Sequence, residues 1–337
     1  MKITINDIAK MANVSKATVS RVINNKEEGV SEETRKKILK IIDEVGYVPN
    51  SNARSITVSE TKTIGLVIPD VRNLFFAELA RGVEDCSSEH GYTVFLCNSD
   101  MDNYKQKIYL NALLEKRVDG IILDTSGDFK DKKFKNKFYK IDIPVILIDR
   151  KAKDLEKYKG VFIDNVEAGY KATKYLLSGG YENVAYIGGT YGIDTAMKRF
   201  EGYKKAIEEA GIELNPSYVV YGDYNIKSGY ENTLSLIKKH REIKGIFAGS
   251  DIIAIGVIQA LKEMNILVPD EIEVVGIDNI SVSQLITPSL TTVAQPIYKI
   301  GYRACKKLIN YINHKFDDGD EYLSTELIVR DSTRKRI

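Results

Sequence analysis

Ten short apolar runs separated by helix-length segments constrain this chain more than any other feature. They are "TIGLVIPD", "YTVFLCNS", "DGIILDT", "PVILIDR", "GVFIDN", "NVAYIGG", "YVVYGDY", "KGIFAGSD", "EVVGIDN" and "LTTVAQP", all after residue 62. Continuous Val/Ile/Leu runs alternating with amphipathic helices mean parallel strands buried on both faces, hence an α/β fold of doubly wound parallel sheets. Ten strands exceed one ordinary sheet, so two subdomains are expected, although periodicity does not locate the division. A length of 337 residues with 43% hydrophobic content is enough for more than one core. The basic run "DFKDKKFKNKFYK" reads as a solvated helix face or a loop.

The N-terminal sixth has a different pattern. Residues 3 to 48 read as three short helices. "NDIAKMAN" comes first with Asn6 as its cap, then a helix opening at Ser15 with Ala17, Val19, Val22 and Ile23 for packing. The third is "SEETRKKILKIIDEVGY", capped by Ser31, striped by Ile38, Leu39, Ile42 and Val45, and stopped at Gly46. Two helices around a tight turn followed by a packing helix make a helix-turn-helix, whose second helix enters the major groove. That helix carries Lys16, Thr18, Arg21 and Asn24 and hardly any acid. Lys16 and Ala17 would face bases and Arg21 a guanine, with Ser15, Thr18, Ser20 and Asn24 left for phosphates. The charge agrees in sign: residues 1 to 60 hold ten Lys/Arg against eight Asp/Glu, while the remainder balances at 39 of each. The polar "NSNARSITVSETKT" reads as a linker, in which Arg54 and the lone Ile56 have the composition of a minor-groove wedge.

Ligands of open α/β sheets bind beyond the carboxyl ends of the strands. Those ends carry Asn73, Phe75 and Phe76; Asp149 and Arg150; Arg199; Tyr224; Ser250 and Asp251; Asp278; and Gln295. Carboxylates, guanidiniums and amides bridge neighbouring hydroxyls, and aromatic rings cover the C–H faces of a sugar, so the set fits a small polyol. Each member also has a plainer reading, as helix cap, surface ion pair or core. The main catalytic motifs are missing, namely G-x-x-x-x-G-K-[ST], G-x-S-x-G and H-E-x-x-H. His90, His240 and His314 are scattered, and "GGTYG" lacks dinucleotide spacing. Three cysteines without C-x-x-C spacing indicate neither a zinc site nor a disulfide framework. No metal or cofactor is expected. With no run near 20 apolar residues and no signal-type start, the expected location is the cytoplasm, off the membrane.

"INDIAKMANVSKATVSRVINN", "VSEETRKKILKIIDEVGYVPN", "NARSI", "TKTIGLVIPDVRNLFFAELARGVED", "RVDGII", "IPVILIDR", "VPDEIEVVGIDN" and "PSLTTVAQP" together resemble the LacI/GalR family of bacterial regulators, in order along the whole chain. The resemblance implies a homodimeric repressor on a near-palindromic operator, with no enzymatic activity. Its parts would be a headpiece (1–48), a hinge (49–60) and a two-lobed core resembling periplasmic sugar-binding proteins (61–337). The core would divide into 61–161 with 291–323 and 162–290 with 324–337. DNA contacts are implied for Thr4, Ser15, Lys16, Ala17, Thr18, Ser20, Arg21, Asn24, Ser31, Asn50, Ala53, Arg54 and Ile56. "NLFF", "IDR", "MKRFEGY", "VVGID" and "VAQP" look most like the ribose-repressor branch. This implies pentose contacts from Asn73, Phe75, Phe76, Asp149, Arg150, Arg199, Tyr224, Asp278 and Gln295, with Ser250 where ribose binders usually have Asn. Leu74 stands for a frequent Pro, Ile56 for the usual hinge Leu, and "NNKEEGVSEE" is one residue longer than the common turn. Two alternatives stay open: a catabolite-control regulator answering to a phosphorylated carrier protein, and a sugar-modifying enzyme with a helical appendage.

Overall fold

The computed structural model describes residues 3–23, 28–47, 60–127, 131–316 and 319–336. The chain divides into two compact units, Met1–Thr61 and Lys62–Ile337.

The first unit contains α1 (Ile5–Ala12), α2 (Lys16–Ile23) and α3 (Glu32–Glu44). α1 is capped by Thr4 rather than Asn6: the Thr4 N–H and hydroxyl both donate to the Asp7 carboxylate, at 2.9 and 2.7 Å. An acid three residues into the helix answers the cap, which is why the helix starts two residues earlier. Asn13 closes α1 in the left-handed region, φ 56°, so the chain turns sharply into α2. Ser15 caps α2 by accepting the Thr18 N–H at 3.1 Å, and Ser31 caps α3 by accepting that of Thr34 at 3.3 Å. Ile8, Ala12, Val19, Val22 and Ile38 form the core of this unit. The expected stripe on α3 is wrong at Leu39, which is 48% exposed. The inward face follows Ile38, Ile41 and Ile42 instead, and Leu39 sits about 100° round the helix from Ile38.

The second unit consists of two six-stranded sheets. The first holds β1 (Thr63–Ile68), β2 (Thr93–Asn98), β3 (Gly120–Leu123), β4 (Val145–Ile148), β5 (Gly160–Ile163) and β11 (Glu321–Leu323), ordered β11-β5-β4-β3-β1-β2. In the second, ordered β12-β10-β9-β8-β6-β7, are β6 (Val184–Gly188), β7 (Val219–Tyr221), β8 (Gly245–Ala248), β9 (Glu273–Asp278), β10 (Thr291–Ala294) and β12 (Glu326–Ile328). All ten apolar runs are strands, paired in parallel; among the described residues only β12 runs antiparallel to its neighbour, β10. β11 and β12 were not expected, since "EYLSTELI" breaks its apolar residues with Glu, Ser and Thr and offers no continuous apolar run.

The connecting helices are α4 (Leu74–Glu89), α5 (Asn103–Glu115), α6 (Lys132–Tyr139), α7 (Asn165–Leu177), α8 (Asp194–Glu209), α9 (Ile226–Lys239), α10 (Asp251–Glu263) and α11 (Ile297–Ile312). The lysine-rich α6 buries Phe134 and Phe138, four residues apart, against the first sheet, so one face of the expected solvated segment belongs to the core. The chain crosses between lobes three times, and two crossings differ from the implied boundaries. β5 lies wholly in the first sheet through Ile163, and β10 pairs with β9, Thr291 opposite Val275, so the return crossing follows Ala294. Both sheets repeat the order 2-1-3-4-5. That order places a crevice beside the first strand of each half, at the carboxyl ends.

Candidate functional site

β1 runs into Asn73, whose side-chain oxygen accepts the Phe75 N–H at 3.0 Å and starts α4. Phe75 and Phe76 follow, 4% and 3% exposed, edge-to-face with ring centroids 5.0 Å apart. Asp149 and Arg150 stand at the end of β4, Asp149 with φ 57°, which turns the chain sharply and puts both side chains into the crevice. From the other lobe come Thr195 and Arg199 on α8, Tyr224 after β7, Ser250 after β8 and Asp278 ending β9. Together these line one cleft. Gln295 joins by donating from Nε2 to Asp278 Oδ1 at 2.7 Å, while its own oxygen has no hydrogen-bond partner among the described residues. The ten residues expected at an effector site therefore converge.

Both guanidiniums are built in. Arg199 Nε donates to Asn165 Oδ1 at 2.8 Å, one Nη donates to the Gly249 carbonyl at 2.6 Å, and the same nitrogen lies 3.9 Å from Asp278. The carbon of the Arg150 guanidinium lies 5.9 Å from the Phe76 ring centroid and 5.4 Å from that of Tyr224. One Arg150 Nη donates to Met101 Sδ at 2.9 Å. Burial works against its charged form, and Asp124 and Asp149 more than offset that, so it is held above the usual arginine range. Burial drives Asp278 the other way, up to about 8, with Arg199 opposing and Asp251 and Asp149 adding to the rise. Ordered cations, carboxyl groups and an amide beneath aromatic rings can bind several hydroxyls of one small molecule.

Sequence reasoning missed Asp124, Asn165 and Thr195. Asp124 and Asn165 follow strands β3 and β5, so the strand-end rule could have found them. Thr195 gave no such signal; its hydroxyl pairs with that of Tyr224 at 2.9 Å. Asp251, another of the strand-end groups, does not line the cleft. Its carboxylate accepts the hydroxyls of Thr292 and Ser283, each at 2.6 Å, and the Ile280 N–H at 3.1 Å. The "GGTYG" loop also has a local reason: a Cβ on Gly189 would lie 2.2 Å from the Tyr224 ring.

In the first unit α2 exposes Lys16, Ala17 and Arg21, with Thr18 and Ser20 half-buried and no acid in its first turn. Thr4, Ser15 and Ser31 sit exposed at three helix N-termini, where free N–H groups and the helix dipole favour phosphate. Ser15 and Thr18 pair their hydroxyls at 2.9 Å, as do Ser31 and Thr34 at 2.8 Å. Asn24, Asn50, Ala53, Arg54 and Ile56, and with them the hinge, lie outside the described residues.

Residues 4–50 match the family model described as bacterial regulatory proteins, lacI family. Residues 61–332 match that for periplasmic binding proteins and the sugar-binding domain of the LacI family. The chain is 41% identical to a ribose operon repressor of Halalkalibacterium halodurans over 98% of its own length and 97% of the other's. It is 39% identical to catabolite control protein A of Priestia megaterium, over 94% and 95%. A LacI-family transcriptional regulator of Enterococcus faecium, solved with bound ribose, superposes with a TM-score of 0.72 at 30% identity, covering 80% of this chain and 98% of that one.

Proposed function

The chain belongs to the LacI family of bacterial transcriptional regulators, and from that premise we propose that it represses a sugar-utilisation operon under the control of a small sugar, ribose or a related pentose foremost. The observation that carries this is the buried set Asp149, Arg150, Arg199, Asp278 and Gln295 beneath Phe76 and Tyr224, contributed by both lobes. The ribose operon repressor and the ribose-bound regulator among its relatives support the pentose.

α2 would read the major groove, Lys16, Ala17 and Arg21 against base edges and Ser15, Thr18, Ser20 and Asn24 against phosphates, with Thr4 and Ser31 anchoring the backbone. Asn50, Ala53 and Arg54 would form the hinge and Ile56 the minor-groove wedge, whose unstacking cost of a few kcal/mol the bent DNA's extra contacts offset. A two-fold dimer needs two matching half-sites, so the operator would be near-palindromic. Edge strand β2 exposes Phe95 and Leu96, and α5 exposes Tyr104 and Ile108, apolar surface that favours a homodimer. Sugar would bridge the lobes and act through its different affinity for the DNA-bound and free states.

Calorimetric titration with pentoses, hexoses and their phosphates tests this. Ribose binding by the wild type, abolished in Arg199→Ala with operator binding intact, is the expected outcome. Loss of both activities would make Arg199 structural. The 39% identity to catabolite control protein A favours a second reading, a protein signal. Failure of every sugar to bind would move that reading to the front.

A further inference from the structure

Asp124 follows β3 and is fully buried, and neither of its oxygens has a hydrogen-bond partner among the described residues. Its nearest cation is Arg150, whose Nε lies 3.7 Å from Asp124 Oδ1 and 3.4 Å from Asp149 Oδ2 and has no hydrogen-bond partner among the described residues. One guanidinium is thus shared between two acids, while Arg199 faces the third, Asp278. All five groups are at least 94% buried.

Resting on the sugar reading above, we infer that Asp124 is a positioning residue that sets the charge class of the effector, holding Arg150 so that the cleft admits an uncharged polyol and refuses its phosphate ester. Three carboxyl groups around two guanidiniums leave no cation for a phosphate, whose transfer into a buried site needs one. The polar atoms left without partners agree. Among the described residues, both oxygens of Asp124 and one each of Asp149, Asn103 and Gln295 are acceptors without a partner, against two donors, Arg150 Nε and Gln106 Nε2. A donor-rich ligand completes such a set, and hydroxyl groups are donors. In the neighbouring pocket that shares Arg150 with the cleft, Lys151 pairs with Asp320 and Lys198 with Asp194.

The test compares ribose with ribose 5-phosphate by calorimetry, on full-length wild type and Asp124→Asn, with circular dichroism to confirm folding. Wild type should bind ribose at least a hundredfold more tightly than the phosphate. Asp124→Asn, equal in size and uncharged, should bind ribose about tenfold more weakly and narrow that preference at least tenfold. A merely structural Asp124 would lower both affinities together and keep the ratio, which overturns the inference. Wild type binding the phosphate as tightly as ribose overturns it too, while the sugar reading stands. Wild type binding neither removes both. If Asp124→Asn does not fold, Asp124→Ser carries the same ratio test.

Discussion

Asp278 shows how much a single burial decides at the residue scale. An aspartate in an unfolded chain ionises near 4, while burial moves this one up to about 8 in the folded cleft, against the pull of Arg199. Between those values the folded state holds a proton that the unfolded state has released. Its contribution to stability is therefore fully present below about pH 4 and is lost as the pH rises to about 8. Melting curves of wild type and Asp278→Asn should diverge across that window, the wild type losing stability relative to the variant as the pH rises. Parallel curves would mean that Arg199 and Gln295 hold Asp278 ionised despite its burial. At this scale the sequence was legible where one rule applied: polar groups at strand ends meet at a doubly wound crevice. The same rule, applied to "DGIILD" and "GVFIDN", reaches Asp124 and Asn165. It overreached at Asp251, because a strand end does not say which way the next side chain turns. There the hydroxyls of Thr292 and Ser283 donate to the carboxylate, and Asp251 does not line the cleft.

At the scale of elements, the position of Arg199 depends on how closely two helices approach. A Cβ on Gly169 of α7 would lie 2.2 Å from the Arg199 carbonyl on α8, and one on Gly202 of α8 would lie 2.0 Å from the Val166 carbonyl. The two backbones touch through reciprocal glycines, and α4 with α11 repeat the arrangement at Gly82 and Gly301. Gly169→Ala must push α8 outward and carry the Arg199 side chain away from Asn165. We expect at least a tenfold loss of ribose affinity and a stability cost of about 1–3 kcal/mol, the range for overpacked sites. Titration below the variant's melting transition separates the two effects. Unchanged affinity with a lowered melting temperature would show that the shift stops short of the guanidinium. Such contacts were invisible in the sequence, where a glycine inside a helical pattern looks only like a weak helix former. Helix starts were legible to within two residues, the Thr4 cap being overlooked beside Asn6, because several small polar residues compete for each capping position.

At the scale of the whole molecule, the ten strands could be read because a strand buried on both faces shows as an unbroken apolar run, and β2 and β7, partly exposed at the sheet edges, carry apolar runs as well. Their division could not, since both lobes use the same strand order and the chain crosses three times, the last time between strands of three residues each. The sugar site proposed between the lobes and the headpiece proposed to read DNA can influence one another only through states in which both differ. The coupling must therefore be the same measured from either end. If ribose weakens operator binding by a factor in the family of 5 to 150, about 1–3 kcal/mol of coupling, then operator DNA must weaken ribose binding by the same factor. Operator titrations of full-length protein with and without saturating ribose give the first ratio, and ribose titrations with and without operator give the second. Equal ratios above one are the expected result. Ratios of one in both directions would leave the sugar bound but without control over DNA, and would shift the regulatory signal to a different ligand or to a protein partner.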